Sequence, residues 1–161
     1  DQGHIRQFAP PAEVYNDPAD LFVAGFMGSP PMNMLEGTVQ VGDGVHIVVE
    51  GGGEAIAFPA PHAQRDRVAA HDGRNVILGL RPETIGAAGQ DHGAEESFGF
   101  VREVEVVEPT GPDTLLIFPL GGVEATARVR PEDEQPAGTP FHFTVDMSKA
   151  KVFDPASGKR L

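Results

Sequence analysis

From Leu35 onward the chain reads as short runs in which every second residue is apolar, and nearly every run ends at glycine or proline. A period of two puts alternate side chains on opposite faces of a strand. Glycine and proline close such runs because they supply the backbone angles that turns require. Residues 35–41, the turn Gly42-Asp43-Gly44 and residues 46–50 read as a hairpin, and Gly51-Gly52-Gly53 turns the chain into 54–58. Asn75–Leu80 is a strand stopped by Arg81-Pro82-Glu83. Residues 59–74 form a loop with one helical turn near 65–70, and 84–97 form a polar loop. The longest alternation, 98–108, sets Val104 and Val106 on one face against Glu103 and Glu105 on the other. Further strands at 114–118, 123–129, 140–145 and 150–153 bring the set to eight or nine, and 154–158 is a turn. Twenty glycines and fifteen prolines in 161 residues are high for a helical bundle, and strands at this spacing suit a mostly β fold, a small closed or nearly closed Greek-key barrel, better than a parallel sheet.

Residues 1–34 have a different pattern. An extended piece at 3–7 leads to Pro10-Pro11, where a helix of about one turn begins, since proline at a first helical position gives up only an N–H that has no helical partner. A second helix starts with Asp17 as its cap and Pro18 behind it and ends at Gly28, making a short helical hairpin. Phe22 and Phe26, four residues apart, read as core packing in preference to a docking face for another protein. Ser29-Pro30-Pro31 is expected to be extended, because a residue before proline avoids the α region.

Charge and composition narrow the chemistry. Twenty-four acidic residues against twelve basic ones give a net charge of -12, which argues against nucleic acid and anionic lipid as partners. Without cysteine there is no thiol nucleophile, disulfide framework or Cys-type zinc site. No apolar run is long enough to span a bilayer, and the opening Asp1-Gln2-Gly3-His4, which lacks an initiating methionine, points to a fragment or processed product. Gly158-Lys159-Arg160 does not fit a phosphate loop, and Ile47 occupies the third-glycine position of a dinucleotide fingerprint after Gly42 and Gly44. His4, His46, His62, His71, His92 and His142 never fall at metal-ligand spacings, and Ser29 and Ser97 have no paired histidine in view. Glu103, Glu105 and Glu108 read as a solvated sheet face, not as paired catalytic carboxylates. Catalytic, cofactor-binding and metal-binding residues are therefore all expected to be absent. Arg81-Pro82-Glu83 carries more interest, because arginine and glutamate flanking a rigid proline can fix an ion pair, cap carbonyls, or read a polar ligand or a facing subunit.

Several blocks in order carry a resemblance. Gly3, Ile5 and Gln7 lead into Pro11-x-Glu13-Val14-Tyr15-x-x-Pro18, and Phe22-Val23-Ala24-x-Phe26-Met27-Gly28-Ser29-Pro30-x-Met32-Asn33 follows. Later come Gly37, Leu80-Arg81-Pro82-Glu83, Val107-Glu108-Pro109-x-Gly111-x-x-Thr114 and Phe153-Asp154-x-x-x-Gly158-x-Arg160-Leu161. Together they resemble the segment that follows the nucleotide-binding fold in ATP-binding subunits of maltose/glycerol-3-phosphate-type ABC importers.

The resemblance implies that residues 1–34 are the C-terminal end of an ATPase domain, a strand and helices, and that 35–161 are an OB-like TOBE regulatory domain. It implies a homodimer on the cytoplasmic face of the membrane, working with transporter membrane subunits and, in some members, a regulatory protein during uptake of sugars or related solutes. ATP and magnesium belong to the upstream domain together with the family's phosphate loop and switch histidine, so this part carries no catalysis and no cofactor of its own. Met32, Asn33, Arg81, Pro82, Glu83, Glu108, Gly111, Phe153 and Asp154 are the family-motif positions expected to be structural or to lie at an interface. Phe8-Ala9-Pro10-Pro11 and Lys151-Val152 depart from the family pattern, and 84–97 has no counterpart in it. A second implied function, from related TOBE domains, is a barrel that senses a small ligand or oxyanion.

Overall fold

The computed structural model describes residues 2–89 and 94–161. Among the described residues, two short helices, α1 (Pro11–Asn16) and α2 (Leu21–Phe26), precede eleven strands. The strands are β1 (Asn33–Gly42), β2 (Gly44–Val49), β3 (Ile56–Pro59), β4 (Asn75–Leu80), β5 (Ile85–Ala87), β6 (Ser97–Glu103), β7 (Val106–Pro109), β8 (Thr114–Leu120), β9 (Val123–Val129), β10 (Pro140–Asp146) and β11 (Lys151–Phe153). A third helix, α3 (Arg65–Ala69), sits between β3 and β4. No helix among the described residues is long and apolar enough to cross a membrane.

The strands form three antiparallel sheets, ordered β11-β4-β1-β2-β3, β5-β10-β6 and β7-β8-β9. Their inward faces meet in one hydrophobic core that draws on all three. Phenylalanines fill its centre: Phe118 and Phe143 stack with centroids 4.3 Å apart, and Phe100 lies 5.1 Å from Phe143 and 5.6 Å from Phe58. Asn33 ties two sheets together, donating to the carbonyls of Leu80 (3.0 Å) and Thr126 (2.9 Å) and accepting from the Thr126 N–H (2.8 Å). Gln64, in the turn between β3 and α3, pins β11 and the C-terminus, donating to the carbonyls of Val152 (3.1 Å) and Leu161 (2.6 Å).

The β architecture matches the sequence reading, with local corrections. The second helix starts at Leu21, not Pro18. Asp20 is its cap, accepting the Val23 N–H at 2.9 Å, while the Asp17 carboxylate is drawn to Arg160 and Lys151. Residues 28–31 form a turn with a cis Ser29–Pro30 bond, not an extended segment. The expected 98–108 run divides into β6 and β7, so Val104 is buried and Val106 exposed. At the break the Val104 N–H bonds to the Thr139 carbonyl and the Glu105 N–H to the Ile117 carbonyl. Those two partners belong to different parts of the fold, and the strand turns a corner between them. The polar loop expected at 84–97 contains β5, which pairs with β10, and its residues 90–93, with His92, lie outside the described residues.

Candidate functional site

The Leu80-Arg81-Pro82-Glu83 strand end becomes the bolt that holds the helical segment to the barrel. Pro82 and Arg81 are buried, and the Arg81 guanidinium donates to the carbonyls of Met27 and Tyr15, each at 2.7 Å. Its carbon also sits 3.8 Å above the centre of the Tyr15 ring, adding a cation–π contact. Five donors in a planar fork let arginine satisfy two carbonyls at once, which a lysine ammonium does less well. Glu83 accepts a hydrogen bond from the Tyr15 hydroxyl. Burial first, and the Glu83 carboxylate second, raise the Tyr15 pKa above its usual 10.0.

A second tie runs beside the first. Asp17 pairs with Arg160 and, at 3.6 Å, with the Lys151 ammonium. Burial pushes the Lys151 pKa below its ordinary 10.5, and Asp17 offsets part of that push. Met32 completes the junction by packing with Ala24 and Phe153 in a small satellite core. Tyr15, Asn16, Asp17, Met32, Arg81, Glu83, Thr84, Lys149 and Lys151 thus surround a cleft of about 530 Å³ between the helices and the barrel.

Of the sequence-picked positions, Met32, Arg81, Pro82, Glu83 and Phe153 meet at this junction, and Asn33 adjoins it on β1. Glu108 and Gly111 stand apart, exposed on edge strand β7 and in the turn after it. Asp154 shapes its own turn: it accepts from the Ser157 hydroxyl (2.7 Å) and the Ala156 N–H (3.1 Å), and these bonds hold its pKa below the usual carboxylate value. Tyr15, Asp17, Lys149 and Lys151 were not among the site positions expected from the sequence. The available signal was the scarcity of lysine, since the chain has only three, at 149, 151 and 159. Phe22 and Phe26 depart from the core expectation. They stack on each other but stay 45% and 77% exposed, with Ile5 and Phe8 exposed on the same N-terminal segment. Among the described residues, no three His, Asp or Glu side chains gather in a metal-binding group.

Comparison with known proteins places this geometry in context. Residues 28–85 match the family described as the MalK OB fold domain. The chain is 35% identical over 158 residues to the sulfoquinovosyl glycerol transport ATP-binding protein SmoE of Agrobacterium fabrum, covering 94% of this chain and 39% of that protein. It is 34% identical to the sn-glycerol-3-phosphate import ATP-binding protein UgpC of Ralstonia nicotianae, covering 99% of this chain and 42% of the relative. The chain therefore spans about two fifths of the length of the curated relatives it matches. Among solved structures, the molybdate-bound form of the cytoplasmic molybdate-binding protein ModG shares the fold, with TM-score 0.52 and 18% identity over 76% of this chain and 96% of that one. The chain is thus homologous to about two fifths of the ATP-binding proteins of sugar and glycerol-3-phosphate ABC transporters, and its residues 28–85 match the MalK OB fold domain.

Proposed function

We propose that this chain is the non-catalytic regulatory and dimerisation part of an ABC-importer ATP-binding subunit that energises uptake of sugars or related solutes. The observation that carries the reading is the sequence match, which runs through nearly the whole chain yet takes in only about two fifths of each ATP-binding relative. On this reading residues 1–34 end the ATPase domain and 35–161 are the regulatory barrel. ATP and magnesium bind in the ATPase portion, which also meets the membrane subunits at the inner face of the membrane. The exposed apolar side chains of Ile5, Phe8, Phe22 and Phe26 support it, because a continuous ATPase domain would cover them. Two barrels held together then keep two ATPase halves within reach of each other while they open and close. The Arg81 and Asp17 ties make the helices and barrel move as one body, so a displacement of one part reaches the other.

Light scattering and ATP turnover test this together. The purified chain is expected to hydrolyse no ATP and to self-associate as its concentration rises. Measurable turnover by the pure chain overturns the non-catalytic assignment. A strict monomer at all concentrations, which remains monomeric when joined to the ATPase portion, overturns the dimerisation assignment.

A further inference from the structure

The cleft between the helices and the barrel holds a cation, Lys149, that neither of the two ties uses. The chain carries -12 overall and has only three lysines, yet two of them, Lys149 and Lys151, line this one cleft. The remaining charges there are already engaged. Arg81 is committed to two backbone carbonyls and the Tyr15 ring, and Glu83 to the Tyr15 hydroxyl. Asp17 is shared between Arg160 and Lys151. Among the described residues, Lys149 has no carboxylate partner and lies exposed at the rim, while the Lys151 side chain is only 19% exposed.

An uncommitted ammonium beside a recessed one that Asp17 only partly neutralises, being shared with Arg160, is suited to an anion with several acceptor oxygens, since lysine binds phosphate as a point charge. The rest of the lining has a different chemistry. The Asn16 amide, the Thr84 hydroxyl and the carboxylates of Asp17 and Glu83 can exchange hydrogen bonds with hydroxyl groups, and Met32 and Tyr15 supply apolar surface. A volume of about 530 Å³ suits a compact organic molecule. A bare inorganic anion would leave most of that polar lining unused.

We propose that this cleft binds a small anionic polyol of the sugar-phosphate class, with its phosphate on Lys149 and Lys151 and its hydroxyls on Asn16, Asp17 and Glu83. Such a ligand touches α1 on one side and the start of β11 on the other, so its binding fastens the helical segment to the barrel more firmly. The binding claim is independent of the importer reading, because it concerns this chain alone.

The test is thermal unfolding of the chain, titrated separately with glucose 6-phosphate, glycerol 3-phosphate, inorganic phosphate and glucose. Glucose 6-phosphate or glycerol 3-phosphate is expected to raise the midpoint progressively with concentration, as linkage requires of a ligand that binds only the folded state. Inorganic phosphate is expected to bind at least tenfold more weakly, and glucose to leave the midpoint unchanged. Lys149→Gln, at an exposed position, is expected to keep the ligand-free midpoint and to weaken the phosphate ester at least tenfold. Asn16→Ala should weaken the ester without altering the response to inorganic phosphate. No stabilisation by either ester overturns the proposal, as does equal binding of inorganic phosphate or full binding by Lys149→Gln.

Discussion

Arg81 and Tyr15 show how single side chains settle the junction. A buried guanidinium without a carboxylate partner is tolerable because arginine is weakly hydrated and can spread its donors over carbonyls. Arg102 repeats the solution on β6: it is buried, donates to the carbonyls of Val101 (3.0 Å) and Glu54 (2.5 Å), and leaves its Nε unpartnered. Tyr15 offers a measurable consequence. Its phenol pKa is raised in the folded state, by burial and then by Glu83, so the stability it adds is present below pH 10 and is lost as pH climbs through the raised value. Tyr15→Phe is expected to cost about 1 kcal/mol at neutral pH, a charged-partner hydrogen bond discounted for solvent. It should also flatten the loss of stability above pH 10. Lys151, lowered by burial, contributes with the opposite sign, gaining stability as pH rises toward 10.5. Because Tyr15→Phe leaves Lys151 in place, the difference between urea-denaturation curves of the two proteins isolates the phenol. An unchanged alkaline slope contradicts the assigned hydrogen bond.

At the scale of elements, the decisive joint is the Gly51-Gly52-Gly53 turn between β2 and β3. All three residues have positive φ, and the Gly51 carbonyl accepts from the Gly121 N–H at 3.2 Å. A Cβ on Gly52 would lie 2.5 Å from the Pro119 carbonyl oxygen, so both backbone strain and a clash with main chain oppose any side chain there. Gly52→Ala is expected to destabilise by about 1–3 kcal/mol from strain, with more from the clash. Chemical denaturation measures it, and Gly89→Ala, where a Cβ meets nothing, separates strain from contact. This turn and β4 were legible because their punctuation is local, with Gly73 before the strand and Arg81-Pro82 after it. The corner between β6 and β7 was not, because the alternation runs unbroken through Val104-Glu105 and only the carbonyls of Thr139 and Ile117 divide it. β5 escaped notice because three residues, Ile85-Gly86-Ala87, are too few to show a period and exist as a strand through pairing with β10. The cleft was hidden for the same reason at longer range: Tyr15 and Lys151 come to line one cleft only in the folded chain.

The three sheets share one core, so they should not unfold separately. Phe143 contacts Phe100, Phe118 and Phe141, joining β10 to β6 and β8 across two sheets. Phe143→Ala is expected to cost about 3–5 kcal/mol. Circular dichroism and Tyr15 fluorescence should still report a single coincident transition, because helices and barrel are tied through Arg81. Two separated transitions contradict a common core.

β4, an interior strand of the largest sheet, is paired with β1 on one side and the edge strand β11 on the other. Its second partner is therefore translated long after β4 itself has left the ribosome. Until Lys151–Phe153 emerge, a nascent chain presents the β4 backbone as an open template on which neighbouring polypeptides can add strands. Synthesis of this protein thus has a vulnerable interval set by chain order, during which the fold does not yet cover this edge.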